Sequence, residues 1–242
     1  MKFKIAWLYY DLLELYGDSG NIKILESILK SNNINYQVDK LTITDDFDIE
    51  NHDLIFLGGG SDYAQNILYK HLLSKKEQLE KVLENHGFIL TICGGYQMFG
   101  KYYKDSQGNI IEGLGIFDFY TVPGEHRCTG NVVAECELNG EKFKLVGFEN
   151  HNGQTLGVDK PLAKIIKGNG NEYKSKYEGY INDNFIGSYI HGPLLPKNPE
   201  IAKYIIEYVF KNKYNEEKKI HLNHSNFYKE AKEIIIKRET KC

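Results

Sequence analysis

The segment Thr91-Ile-Cys-Gly-Gly-Tyr-Gln97 carries the clearest chemistry in this chain. Cys93 ends an apolar run, Phe88-Ile-Leu-Thr-Ile-Cys93, and two glycines follow it at once. This pattern predicts a nucleophile on a sharp strand-to-helix turn. The strand carries the thiol to the sheet edge, the glycines let the backbone fold beneath it, and the next helix turns its free N–H groups toward the sulfur. The positive end of such a helix favours the thiolate, which is the reactive form. A cysteine buried only for packing behaves as a small hydrophobe and has no use for two glycines directly after it.

A thiol nucleophile needs a base from elsewhere in the chain. Of the eight histidines, His191 is the best placed. It ends the apolar run Asn184-Phe-Ile-Gly-Ser-Tyr-Ile190 as Cys93 ends its own, and Gly192-Pro193 turns the chain away behind it. A third strand-like run, Asp53-Leu-Ile-Phe-Leu57, leads into Gly58-Gly-Gly60. If Cys93 attacks a carbonyl, an oxyanion develops, and backbone amides held ready stabilise it at about 3 kcal/mol of barrier per donor. The expected donors are Gly59 or Gly60 and, after the nucleophile, Gly94. The glycine turn is not a phosphate loop, because the Lys-Ser or Lys-Thr pair that would follow it is missing. His221 and His224 stand three apart near a helix start, but no third ligand accompanies them, so they read as surface residues and no metal site is expected. His126 and His151 have no clear role.

The elements that must position these residues alternate in type. Phe3 to Tyr10 reads as a buried strand. Asp18-Ser-Gly-Asn reads as an N-cap to a helix whose apolar face is Ile22, Ile24, Leu25, Ile28 and Leu29; Asp18 either caps that helix, the reading taken here, or faces the active site. Asn35 to Thr42 reads as a strand, Tyr63 to Asn85 as one helix, and the strand ending at Cys93 follows. Strands separated by helices imply an α/β fold with a mostly parallel central sheet flanked by helices, and ligands bind such sheets at the strands' carboxyl ends. The second half changes character, with short strands expected at Gly115 to Tyr120, Asn131 to Leu138, Phe143 to Phe148 and Ala163 to Lys167. Asn139-Gly140 is a hairpin-turn signal. Helices from Glu200 to Lys211 and Asn226 to Arg238 close the chain. One domain over 1–212 with a C-terminal helical extension, 213–242, packed on it is the expected organisation.

Composition excludes several classes. The 242 residues carry 30 Lys and Arg against 33 Asp and Glu, interspersed, so no basic block marks a nucleic-acid binder. Cys93, Cys128, Cys136 and Cys242 form no CxxC pair and no regular spacing, so no disulfide framework is expected. The first residues lack the h-region and cleavage site of a signal peptide, and no apolar stretch is of membrane-spanning length, which predicts a cytoplasmic protein.

Several motifs in one order carry a family resemblance: Leu57-Gly-Gly-Gly-Ser-Asp62 with Gln65, the Cys93 segment, and Tyr189-Ile-His-Gly-Pro193. Together they resemble the class I glutamine amidotransferases, and most closely the cobyric-acid-synthase-like branch. Longer strings, among them Tyr16-Gly-Asp-Ser-Gly-Asn21, Gly147-Phe-Glu-Asn-His151 and His191-Gly-Pro-Leu-Leu-Pro-Lys-Asn198, are similar to the glutaminase subunits of lipid II isoglutaminyl synthases. The resemblance covers residue 1 to about 210. It implies a single amidotransferase domain in which Cys93 forms a glutamyl thioester from L-glutamine and His191 moves the proton. It further implies that Gln97 lines the substrate pocket and that Arg127 holds the substrate, a guanidinium being suited to a two-pronged grip on an α-carboxylate.

The resemblance also implies a partner. Many class I members place a glutamate two residues after the histidine to orient it, and here that position is Pro193. The family implication is a heterodimer with a MurT-like Mur ligase that donates the third catalytic acid. The partner would bind ATP and Mg, for which this chain shows no site, and would amidate the D-glutamate of lipid II at the inner face of the membrane. The alternatives are a glutaminase for a cobyrinate-type acceptor, a cysteine hydrolase or protease on a similar fold, and a catalytically silent scaffold.

Overall fold

The structure, a computed structural model, describes residues 1–105, 107–222 and 226–240. His224 and Cys242 lie outside the described residues.

The chain starts as β1 (Phe3–Leu8), a 3-10 turn (Leu15–Gly17), α1 (Ser19–Ser31), β2 (Tyr36–Leu41), β3 (Leu54–Leu57), α2 (Asp62–Ser74), α3 (Lys76–Glu84), β4 (Phe88–Ile92) and α4 (Gly94–Gln97). The helix expected from Tyr63 to Asn85 is thus two helices, parted at Lys75, whose φ of −97° and ψ of 3° leave the helical range. β5 (Tyr102–Lys104), β6 (Ile110–Glu112), β7 (Tyr120–Leu138), β8 (Glu141–Leu156), β9 (Ala163–Lys167), β10 (Tyr177–Glu178), β11 (Tyr180–Asn182) and β12 (Phe185–Ser188) follow. Three helices close the chain: α5 (Leu194–Lys197), α6 (Pro199–Lys213) and α7 (Asn226–Thr240).

The first sheet has the order β11-β12-β4-β3-β1-β2, and every pair in it is parallel except β11–β12. Its inner strands read as unbroken apolar runs because helices cover both faces. Every residue of β3, β4 and β12 is buried. Burying one such Leu or Ile side chain contributes about 1.5–3 kcal/mol, which makes these strands the rigid centre of the molecule. Their register places the strand ends side by side, with Leu57 opposite Thr91 and Ser188 opposite Ile92. The residues that follow, Gly58 to Gly60, Cys93 and His191, therefore emerge on one rim.

The second sheet is built on a long ribbon of β7 and β8, with β9, β10, β5 and β6 beside it. The expected short strands at 131–138 and 143–148 are parts of this ribbon, whereas residues 115–119 lie outside any strand. Asn139 and Gly140 turn the hairpin with φ of 49° and 78°, as a primed turn requires. Between Pro123 and Cys128 the ladder shifts register, and the exposed residues Glu125 to Arg127 ride on the resulting bulge. The ribbon reaches the first sheet through a bridge between Phe148 and His191, whose amides and carbonyls exchange bonds of 3.1 and 2.7 Å. Asn198, fully buried, pins the chain just beyond: its Nδ2 donates to the carbonyls of Val146 and Leu194, and its Oδ1 accepts from the Val146 amide. α7 lies against the ribbon. Tyr228 donates to the Lys197 carbonyl, Lys232 pairs with Glu200, and Asn131 donates to Glu239. No described helix is long and apolar enough to cross a membrane.

Candidate active site

Cys93 sits at φ 49° and ψ −108°, a conformation that L-residues rarely adopt, with its amide bonded to the Ser188 carbonyl at 2.8 Å. Such backbone strain costs about 1–3 kcal/mol and collects at functional sites. The glycines behind it are required by space. A Cβ on Gly94 would come within 2.6 Å of Gln65 Nε2, and one on Gly95 within 2.8 Å of the Gly58 carbonyl. The helix that follows is a single turn, so the positive end expected at the sulfur is small. The stronger positive group is an imidazole.

His191 is completely buried, and its Nδ1 lies 3.7 Å from Asp18 Oδ1. Burial by itself pushes the imidazole down, but the Asp18 carboxylate and the Cys93 sulfur beside it outweigh burial and raise the group to about 10. A proton is therefore held on the imidazole at neutral pH, beside the thiol. Tyr16 packs edge-on against the ring at 5.0 Å.

Asp18 does not cap α1. It takes helical dihedrals, φ −57° and ψ −21°, and makes no capping bond. Instead Oδ2 accepts the Gly59 amide at 2.6 Å. The cap reading fails because a carboxylate before a helix gives the same local signal whether it bonds its own helix or a turn 41 residues away. One consequence concerns the oxyanion donors. The Gly59 amide is occupied by Asp18 and is not free to receive an oxyanion, whereas the amides of Gly60 and Gly94 have no acceptor among the described residues. Gly59 contributes differently: a Cβ there would meet His191 Cε1 at 2.7 Å, and Asp18 Oδ2 and the Cys93 Cβ both at 3.3 Å. Thiol, imidazole and carboxylate converge on this one glycine.

The other expected residues divide. Gln97 is buried, its Nε2 donating to the Tyr189 hydroxyl at 3.0 Å and its Oε1 accepting from Gln65 at 3.4 Å. Tyr189 continues to Thr155, and Thr155 to Thr121, so Gln97 belongs to a buried polar chain beneath the nucleophile. Arg127 is exposed on the bulge, where its Nε donates to Asn150 Oδ1 at 2.6 Å. Asn150 in turn donates to the Tyr16 hydroxyl, and Tyr16 covers His191. Arg127 therefore reaches the rim through Asn150 and Tyr16. Neither of these two residues carries a chemical signal of its own in the sequence, although both stand inside family-like strings, Tyr16-Gly-Asp and Phe-Glu-Asn-His151. His126 stacks near Tyr173 at 4.5 Å. His151 is buried against Tyr189 at 3.7 Å, with Nδ1 on the Gly153 carbonyl. His221 is exposed and pairs its backbone with Asn32.

A parallel sheet that delivers a thiol and an imidazole to one rim, with an antiparallel ribbon lying across it, is the plan of the class I glutamine amidotransferases. Solved structures share it. PurLQS from Thermotoga maritima aligns at a TM-score of 0.55 and 17% identity over 89% of this chain and 99% of its own. A glutamine amidotransferase from the same organism aligns at 0.51 and 13% identity over 99% of both. The CobB/CobQ-like glutamine amidotransferase domain matches residues 4–199. Two curated relatives are named lipid II isoglutaminyl synthase (glutamine-hydrolyzing) subunit GatD. The Streptococcus pneumoniae protein is 37% identical over 89% of this chain and 84% of its own length. The Staphylococcus aureus protein is 42% identical over 81% and 80%. The chain belongs to the CobB/CobQ-like glutamine amidotransferases and, among them, to the GatD family.

Proposed function

We propose that this chain hydrolyses L-glutamine and supplies the ammonia to a ligase that amidates lipid II. The observation that carries the reading is the convergence of Cys93 and His191 on Gly59 in a chain of the GatD family.

The proposed chemistry starts from Cys93 beside the imidazolium of His191. Cys93 Sγ attacks the side-chain amide carbon of glutamine, and the Gly60 and Gly94 amides receive the oxyanion. His191 gives its proton to the leaving nitrogen, so ammonia departs and a glutamyl thioester remains. The neutral imidazole then takes a proton from water, the hydroxide attacks the thioester, and glutamate leaves with Cys93 restored. Arg127 grips the α-carboxylate, and Gln97 with Tyr189 holds the pocket beneath the sulfur.

The names of the relatives support a subunit that works in a complex. In the finer reading, the partner is a MurT-like Mur ligase that binds ATP and Mg, takes the ammonia, and converts the D-glutamate of lipid II to D-isoglutamine at the inner face of the membrane. The chain itself would be cytoplasmic and need no cofactor. The test is ammonia release from L-glutamine by the chain with and without that ligase, beside Cys93→Ala. The expected loss on substitution is about 10⁴-fold or more. Release that survives in Cys93→Ala refutes the nucleophile assignment.

A further inference from the structure

Asn150 on β8 links the bulge that carries Arg127 to the rim that carries His191. Along β8, Glu149 and His151 turn into the core, whereas Phe148 and Asn150 are only half-buried on the other face. Both buried neighbours are anchored. The Glu149 carboxylate accepts the Asn169 amide at 2.7 Å, the Asn169 side chain at 2.8 Å and the Gly170 amide at 2.8 Å. The His151 ring stacks on Tyr189. Asn150 is therefore a fixed post between two tethered residues.

Its side-chain amide reaches two residues at once. Arg127 Nε donates to Oδ1 at 2.6 Å, and Nδ2 donates to the Tyr16 hydroxyl. The orientation follows from the donors, because a guanidinium only donates and must meet the amide oxygen, which leaves the amide nitrogen for the hydroxyl. Tyr16 lies edge-on to His191 at 5.0 Å and to Phe148 at 6.0 Å. We infer that Asn150 is the positioning residue for Arg127: it holds the guanidinium at a set place relative to the catalytic rim, and so sets where the α-carboxylate of L-glutamine is gripped. This inference deepens the glutaminase reading above and rests on it.

Three observations carry it. First, Arg127 needs a restraint from outside its own strand. It stands where the β7–β8 ladder is interrupted between Pro123 and Cys128, so backbone pairing does not hold it. Thr129 pairs with Asn150, and Arg127 lies two residues before Thr129, at the diagonal position that a long side chain spans. Second, the bond uses Nε alone. Arg127 makes no other hydrogen bond or ion pair among the described residues, so both Nη groups stay open as a fork that matches a carboxylate. Third, the residue type fits the task. Asparagine accepts from Arg127 and donates to Tyr16 with no charge of its own, whereas an aspartate there would offset the guanidinium charge that the substrate needs.

A guanidinium without this restraint has to be ordered by the substrate, and the cost is taken from binding, so the loss appears in KM. In the chain assembled with its ligase, Asn150→Ala is expected to raise KM for L-glutamine by about 3–10-fold with kcat kept within about twofold. A double-mutant cycle separates positioning from general support. In an Arg127→Ala background, Asn150→Ala should raise KM by less than about 1.5-fold, since no guanidinium is left to position. Tyr16→Phe removes the hydroxyl and keeps the ring over His191; it should raise KM by about 2–3-fold and lose that effect in the same background. An unchanged KM in Asn150→Ala overturns the inference. So does an equal rise in both backgrounds, or an early-melting variant whose kcat and KM move together in both. A wild-type complex that releases no ammonia from L-glutamine refutes the glutaminase reading and this inference with it, whereas wild-type turnover with an unchanged KM in Asn150→Ala refutes the inference alone.

Discussion

The rim of the parallel sheet and the bulge of the β7–β8 ribbon are two unlike regions that meet over one site. On the rim, Asp18 and His191 are fully buried and Cys93 is 6% exposed; backbone bonds to neighbouring strands fix Cys93 and His191, and the Gly59 amide fixes the Asp18 side chain. On the bulge, Glu125 to Arg127 are exposed, out of ladder register, and Arg127 is held by a side-chain bond to Asn150. Under the proposed function, the difference teaches why chemistry and grip are housed apart. Bond making needs atoms held to a fraction of an ångström in a dry setting, which only the packed sheet provides. Gripping a small polar substrate needs an open charge that can be reached and released, which suits a bulge that re-aims a side chain at the edge of the site.

The largest test of this division short of removing the nucleophile is Gly59→Ala. The added methyl meets His191 Cε1 at 2.7 Å, so the ring must move while the core strands stay as they are. Glutamine turnover is expected to fall by about 100-fold in kcat with the melting temperature nearly unchanged. A loss confined to KM would show that the rim is not where the chemistry is held. Arg127→Ala should give the opposite profile, with KM raised about 10–100-fold and kcat kept within a few-fold, as for the loss of a charged hydrogen bond to a substrate carboxylate. Equal falls in kcat and kcat/KM would move Arg127 from the grip to the chemistry.

The smallest catalytic effect is expected behind the rim, at Glu178. This carboxylate is fully buried, accepts from the Ser188 hydroxyl and the Tyr189 amide, and is pushed up to about 7 by burial. Its folded value lies above its ordinary one. The stability linked to it is therefore complete below about pH 4.5 and is lost as pH rises through about 7. Glu178→Gln cannot ionise, so urea unfolding should show the variant gaining on the parent across that window, by on the order of 1–3 kcal/mol at pH 8. Turnover should change little. A difference that does not grow with pH contradicts the assignment.

The two regions also differ in how plainly the sequence shows them. The inner strands β3, β4 and β12 are legible because their apolar runs are continuous and lead into residues of evident chemical use, namely Gly58 to Gly60, Cys93 and His191. The ribbon reads only in fragments. Asn139-Gly140 marks its turn, but Pro123, Gly124 and the charged bulge interrupt the alternation that would show β7 as one strand of 19 residues. Lys75 parts α2 from α3 with neither glycine nor proline to announce it. Asp18 stays undecided in the sequence, between a helix cap and the site, for a more general reason. Its partners, Gly59 and His191, are distant along the chain, and no local pattern separates a capping carboxylate from one that crosses the sheet. Asn150 and Tyr16 are of the same kind: their meaning is the contact between ribbon and rim, which exists only in the fold.

The most direct test of the central claim is mass spectrometry of the chain, assembled with its ligase and acid-quenched during turnover of saturating L-glutamine. The account predicts a glutamyl thioester on the peptide that contains Cys93, absent from Cys93→Ala and still formed by Arg127→Ala. Ammonia release with no adduct, or an adduct on Cys128 or Cys136, would contradict it.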